Sequence, residues 1–224
     1  MDYLIKKGFF MLQYPSIASV GTSKISKGTM CHSFVKYDGS NIRFEWTKKQ
    51  GFHKFGSRHH LIDKTHPMLG KSIEIVQDLT GPALLQDLIN WDKRLINNAG
   101  EFTGFAEFFG KSSFAGNHVA DEEHFMKVFD VSIYKRGFLK PNEFCDFAQS
   151  QHYAKLLGIE AYNDSYMEAI FTGNGLSQAD YIQDIPEGVI LKAVVKNQIQ
   201  RVKLKTKVWL DEIKVKCENW EELV

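Results

Sequence analysis

Charged residues stand alone inside several otherwise apolar runs of this chain. Lys36 closes "CHSFVK", Glu107 sits within "FAEFFG", Glu187 opens "EGVILK" with Lys192 at its end, and Lys203 and Lys205 alternate in "VKLK". An amine or carboxylate among Phe, Val and Leu is costly to bury unless it meets a partner. Alternation puts Lys203 and Lys205 on one face of a strand, where solvent alone would account for them. Lys36, read only with its neighbours in the chain, is a solvated charge at the end of a hairpin. In that reading Phe34 and Val35 close one strand, Asp38-Gly39 turns, and Ile42, Phe44 and Trp46 alternate along the next. Glu107 resists so simple an account, because Phe105, Ala106, Phe108 and Phe109 flank it.

The elements that must hold these residues emerge from periodicity. Residues 29–36, 41–47, 102–109, 125–134, 187–195 and 200–209 read as strands, the last two joined by a turn at Lys196-Asn197. Residues 71–80 and 82–97 read as helices. In the second, Leu84, Leu85, Leu88, Ile89, Trp91 and Leu95 make one apolar face, and Pro82 suits a first turn. Pro141 starts a short helix through Gln149. Another begins at Asn163, with Asn163 or Asp164 as its cap. The tail from Asp211 is charged, with a helical scatter of Ile213, Trp220 and Leu223. The pattern is α+β, with mainly antiparallel sheets and flanking helices in a single domain spanning 1–224.

Composition bounds the rest. The 224 residues are 43% hydrophobic and 25% charged, ordinary for a globular chain, and the 17 Phe can furnish a sizeable core. A net charge of +1 gives no global signature of nucleic-acid binding but leaves room for a local basic patch. Cys31, Cys145 and Cys217 are far apart and form no paired motif, so reduced thiols in a cytoplasmic setting are expected. "MDYLIKKGFFMLQYP" carries lysines inside its apolar run and lacks a cleavage site, so it does not read as a signal peptide. No run of 18 apolar residues exists, and no membrane association is expected.

Taken together, the charged strands resemble the covalent nucleotidyltransferase superfamily of ATP-dependent DNA and RNA ligases and mRNA capping enzymes. The family's K-x-D-G is matched by Lys36-Tyr37-Asp38-Gly39, and its downstream arginine by Ser57-Arg58. The strand with an embedded glutamate is matched by "GFAEFFG", and the F-D strand by "KVFDVSIY". The final two elements are matched by "EGVILK" and by Lys203-Leu204-Lys205. K-x-D-G alone is a weak signal; the whole set in family order is a strong one. DNA ligases and capping enzymes place Arg five residues after the lysine, where this chain has Asn41, with Arg43 two further on. Asn41 and "FAEFFG" look like the second type of RNA ligase found in phage and kinetoplastids.

The resemblance implies an adenylyltransferase fold of ATP-grasp-like ligase type and a reaction in relay. Lys36 attacks the α-phosphate of ATP, AMP passes to a 5′-phosphate, and a 3′-hydroxyl displaces it. Only a neutral amine attacks, so the pKa of Lys36 is expected to be lowered by desolvation, Lys203, Lys205 and a bound cation. Lys203 and Lys205 would neutralise charge on the phosphates. Glu107 would accept from ribose hydroxyls, and Phe129 would stack on adenine, with Phe125 as a competitor. Asn41 and Arg58 would hold ribose or phosphate, and Asp38 would orient Lys36 or the metal shell. Val35 and Lys192 complete the expected nucleotide pocket. Glu187 would bind Mg²⁺ or Mn²⁺ directly or through water. The implied partner is RNA, nicked or with single-stranded ends, engaged by a monomer in the cytoplasm, a host cytoplasm where the chain is phage- or virus-encoded.

His53, His59, His60 and His66 cluster in sequence, but their spacing fits no standard zinc site. Contact with phosphates, alongside Lys48, Lys49 and Lys54, is the better reading. Only a short tail lies beyond Lys205. The chain therefore looks like a nucleotidyltransferase domain without the OB or helical domain of larger relatives, which disfavours capping. A minimal DNA ligase and a non-catalytic nucleic-acid-binding domain that keeps the fold are the alternatives. Asn41 speaks against the first, and the intact lysines and glutamates against the second.

Overall fold

A computed structural model describes residues 11–177 and 180–223. Ten strands occur among them: β1 (Ala18–Ser19), β2 (Met30–Lys36), β3 (Ser40–Thr47), β4 (Gly51–Gly56), β5 (Glu101–Gly110), β6 (His124–Ile133), β7 (Gly137–Phe138), β8 (Leu156–Ala161), β9 (Gly188–Val195) and β10 (Gln198–Lys205). The helices are α1 (Gly70–Ile75), α2 (Gly81–Ala99), α3 (Pro141–Phe147), α4 (Asp164–Thr172), α5 (Lys207–Lys216) and α6 (Trp220–Leu223). A π-helical stretch, Val76–Thr80, joins α1 to α2.

The strands form two five-stranded sheets, ordered β1-β10-β9-β2-β8 and β4-β3-β5-β6-β7. Every pairing is antiparallel except β1 on β10. The α+β reading holds, and the principal strands and helices appear where periodicity put them.

Alternation explains which way the charges face. Along β9, Val189, Leu191 and Ala193 enter a core shared with Ile170 of α4; along β10, Val202 and Leu204 do the same. Their neighbours Lys192, Lys203 and Lys205 must then point to the opposite face. The other sheet packs Phe44, Phe102, Phe108 and Val131 against Leu84 and Leu88 of α2 and Phe144 of α3. A small third cluster, Val35, Tyr37, Phe109 and Ala154, lies where the two sheets meet.

Two expectations are corrected. β2 and β3 are not a hairpin: they belong to different sheets, and Lys36–Asn41 crosses between them. A remote side chain supplies the hydrogen bonds that a hairpin turn would have closed. Gln183 accepts from the Asp38 N–H (2.8 Å) and donates to the Asp38 carbonyl (2.6 Å). A Cβ on Gly39 would meet the Phe108 carbonyl oxygen at 2.3 Å, so the crossing runs too close to β5 for any side chain there. The strand expected over 200–209 stops at Lys205. Thr206 caps α5 by accepting from the Trp209 N–H, which ends the alternation.

The edge strands β1, β4, β7 and β8 have no counterpart in the sequence reading. The Lys196-Asn197 turn is present, both residues at positive φ, as a two-residue hairpin loop requires. Asn163 caps α4 through the Tyr166 N–H. The N-terminal run that does not read as a signal peptide falls mostly on residues 1–10, outside the described residues. Among the described residues no helix is long and apolar enough to cross a membrane.

Candidate active site

A cavity of about 440 Å³ opens where the two sheets converge on the crossing segment. Val35, Lys36, Asp38, Asn41, Arg58, Glu107, Phe129, Glu187, Lys192, Lys203 and Lys205 all line it. Phe125, the competitor of Phe129, is not in the lining.

One wall is a chain of charges. Lys36 ends β2 opposite Gly188, and its Nζ pairs with Glu187 Oε2. The other Glu187 oxygen lies 3.4 Å from Lys205 Nζ. Gly188 makes this possible: its φ is +149°, and a Cβ there would meet the Leu204 carbonyl oxygen at 1.9 Å. β9 and β10 thus close tightly at the point where Glu187 enters between the two lysines.

The expected lowering of the Lys36 pKa is not found. Burial pulls the amine down, but the carboxylates of Glu187 and Glu107 outweigh it, and the net direction is up. Lys205 behaves as anticipated for a desolvated cation among cations. Burial brings it down to about 8, with Glu187 opposing and Lys36 and Lys203 assisting. Lys203 is lowered too, by burial and then by Lys36.

The opposite wall comes from the second sheet. Asn41 and Glu107 are cross-strand partners on β3 and β5, so both side chains face the cavity. Burial raises the Glu107 carboxyl to about 8, with Lys36 pulling the other way. Asn41 Oδ1 is buried with no hydrogen-bond partner, an acceptor left for something the cavity receives. Arg58 reaches Ser16 Oγ at 3.4 Å.

Two of these side chains have partners the sequence did not indicate. Asp38 does not bond Lys36; its Oδ2 accepts from the Trp209 indole N–H (2.6 Å) and the Ala115 N–H (2.8 Å). Lys192 lines the cavity, but its amine is committed to the Phe129 carbonyl (2.5 Å) and to Asp130 (3.2 Å). Arg201 at 2.9 Å and the Tyr14 hydroxyl at 2.9 Å bind the same Asp130 oxygen. Burial alone would raise the Asp130 carboxyl, but Lys192 and Arg201 hold it below the usual range.

The basic segment also divides. Arg58 and His59 line the cavity, whereas Lys54 and His53 flank Glu45 at 3.0 and 3.3 Å. Lys48 and Lys49 sit at the far end of the β3–β4 pair, away from Asn41.

Sequence reasoning missed Ala154, ahead of β8, and three further parts of the lining. Trp209 comes from α5, and Ala115-Gly116 from the β5–β6 connection. Tyr14, Pro15 and Ile17 come from a stretch ahead of β1. That stretch is fastened by Arg43, whose Nη1 donates to the Met11 carbonyl at 2.7 Å and the Leu12 carbonyl at 3.1 Å. None of these carries a motif.

No family model and no curated protein sequence matches the chain. Solved structures do. A variant of the Naegleria gruberi RNA ligase, solved with ATP and Mn, superposes with a TM-score of 0.60 at 14% identity, covering 89% of this chain and 58% of that one. A candidate ATP-dependent DNA ligase from Aquifex aeolicus gives 0.58 at 19% identity, covering 97% and 56%. The chain has the nucleotidyltransferase fold of ATP-dependent RNA and DNA ligases. An archaeal ATP-dependent RNA ligase shares this ligase fold at a TM-score of 0.57 and 13% identity, covering 89% and 50%. The chain therefore spans 50–58% of the length of these ligases.

A divalent cation fits the donor set in one manner. Among the described residues no group of three or more His, Cys, Asp or Glu could hold a metal by itself. Glu187 offers a buried carboxylate at the cavity wall, and Asp38 a second one nearby in the lining. Mg²⁺ and similar hard cations commonly take one or two carboxylates and complete their shell with water and substrate phosphates.

Proposed function

We propose that the chain is an ATP-dependent RNA ligase that carries AMP on Lys36 and joins 5′-phosphate to 3′-hydroxyl ends. The observation that supports this most is the convergence of Lys36, Glu187, Lys203 and Lys205 on one cavity wall, with Glu107, Asn41 and Phe129 also lining it. The shared fold adds support, as does the ATP and Mn held by the Naegleria ligase variant.

In this reading the lone pair of Lys36 Nζ forms a bond to the α-phosphorus, and the bond from that phosphorus to the oxygen bridging to the β-phosphate breaks, releasing pyrophosphate. The rigid end of β2 aims the amine. Lys203 and Lys205 neutralise the charge that gathers on the phosphate oxygens. A cation held at Glu187 would supply further charge neutralisation on the phosphates. It would also weaken one of the carboxylate influences that keep Lys36 protonated, with Glu107 and Asp38 remaining, and the proton Lys36 sheds before attack would pass to water in the cavity. Phe129 offers a ring face to adenine, and Glu107 accepts from the ribose. The three free thiols suit a reducing cytoplasm.

The test is incubation with α-labelled ATP and Mg²⁺, then denaturation and mass spectrometry. One added adenylate on Lys36 is expected, and none in Lys36→Ala or Lys36→Arg, since guanidinium stays protonated. A wild-type protein that takes no label, or an adduct that persists in Lys36→Ala, overturns the reading. Asn41 supports RNA over DNA; the Aquifex neighbour is the observation favouring DNA. Nicks ending in ribose or deoxyribose separate the two, and faster sealing of the ribose end is expected.

A further inference from the structure

Trp209 lies just beyond the last recognised motif, yet it is among the largest fully buried side chains of the molecule and forms part of the cavity wall. Three contacts fix it. Its main-chain N–H donates to Thr206 Oγ1 at 3.2 Å, its indole Nε1–H donates to Asp38 Oδ2 at 2.6 Å, and Phe114 packs against its ring at 5.9 Å. Asp38 is itself immobilised, by Gln183 on its main chain and by the Ala115 N–H on its carboxylate. The indole therefore cannot rotate without breaking a buried hydrogen bond to a carboxylate.

Over that fixed ring stands Lys205. Its Nζ lies 3.7 Å from the ring centroid and 3.4 Å from Glu187 Oε1. A lysine stem has four rotatable bonds, and a phosphate-neutralising amine is useful only where it already points at the phosphate. The indole face and the Glu187 carboxylate bracket the ammonium from two directions. Burial strengthens both contacts, since an ion pair and a cation–π contact each gain when water is excluded.

We infer that Trp209 is a positioning residue that aims Lys205 at the nucleotide phosphates, and that Asp38 of the K-x-D-G segment acts chiefly by anchoring Trp209. This rests on the ligase reading for its reaction, though not for its geometry. It gives the aspartate a role unlike the expected one. Asp38 serves a lysine on β10, through an indole on α5, besides the charge it sets near the lysine two residues before it.

A double-mutant cycle decides the matter. Self-adenylylation is measured in wild type, Trp209→Leu, Lys205→Ala and the double variant, with Trp209→Phe as a variant that keeps an aromatic face and most of the volume. Circular dichroism and thermal melting accompany each. Trp209→Leu is expected to slow adduct formation at saturating ATP by about thirtyfold, the upper range for a desolvated cation–π contact, with little change in the ATP KM. In the Lys205→Ala background the same substitution should cost almost nothing, and Trp209→Phe should recover most of the loss. Equal losses in both backgrounds would show that Trp209 acts through packing alone and would overturn the inference.

A second readout needs no activity. With ¹³C-labelled lysine, the Lys205 ε-methylene protons should be shifted upfield by the indole ring in wild type. They should return to the ordinary lysine range in Trp209→Leu. An unshifted signal in wild type overturns the inference even if adenylylation is normal. A shifted signal in a protein that takes no label upholds the placement and sinks the ligase reading instead.

Discussion

Two lysine–carboxylate clusters share the walls of one cavity and are built to opposite ends. Around Asp130, every charge is spent: Lys192, Arg201 and the Tyr14 hydroxyl all converge on one oxygen, and Lys192 also donates to a main-chain carbonyl. The side chains of Asp130 and Lys192 are 2% and 4% exposed. Around Glu187 two lysines meet one carboxylate, but the Lys36 side chain is 22% exposed and lines the cavity. A buried ion pair fixes geometry and is costly to break, even though Arg201 Nε here has no hydrogen-bond partner. A pair with one member facing a cavity can exchange its partner for a ligand. Lysine at a strand position is therefore not enough to indicate chemistry. What separates Lys36 from Lys192 is that Lys36 keeps part of its side chain open to the cavity while Lys192 is enclosed.

That contrast can be broken in order of effect. Asp130→Ala leaves Lys192 and Arg201 buried without their counter-charge, and a loss of about 3–5 kcal/mol in urea unfolding is expected. A loss below about 1 kcal/mol would mean that this cluster is no more structural than the other. Glu187→Gln should do the reverse. Its stability should fall less than that of Asp130→Ala, because Lys36 can turn to the cavity and only Lys205 is left without its counter-charge, while adduct formation falls by about a hundredfold through loss of the cation's anchor. Full activity at low Mg²⁺ would place the cation elsewhere.

The effect read against pH concerns Glu107, whose carboxyl burial raises to about 8. A raised carboxyl binds a proton in the folded state that the unfolded chain releases near pH 4.3, so stability should decline from about pH 5 to about pH 8. Glu107→Gln should flatten that decline. Urea titrations across the range check it, and an unchanged slope would mean that Glu107 is ionised and paired throughout.

How far the sequence carried depended on distance along the chain. Alternation in β9 and β10 was readable because five inward residues left Lys192, Lys203 and Lys205 no other face. The helical stripe of α2 was readable for the same reason. The crossing at Asp38-Gly39 was not, since alternation on both sides looks the same whether two strands pair together or enter separate sheets. The residue that decides it, Gln183, lies 145 positions away. The end of β10 had a local signal, Thr206 as a cap, but Lys207 and Val208 happened to continue the alternation and masked it. β4 and β8 are edge strands with little to bury on their outer side, so they carry weak patterns. The saturation of Lys192 needed Arg201 and Tyr14 together, a meeting that no local window contains.

The stretch ahead of β1 has a consequence of its own. Residues 11–17 belong to no helix or strand, yet Tyr14, Pro15 and Ile17 form part of the cavity, moored by Arg43 to main-chain carbonyls and by the Tyr14 hydroxyl to Asp130. A nucleotide entering the cavity would lean on a wall whose order is separately maintained, so occupant and wall share one ordering entropy. Filling the cavity should slow hydrogen exchange at the amides of 11–17, while the amides of β9 and β10 change little. Affinity for the nucleotide is then set partly by how tightly a guanidinium on β3 holds two carbonyls that never touch it.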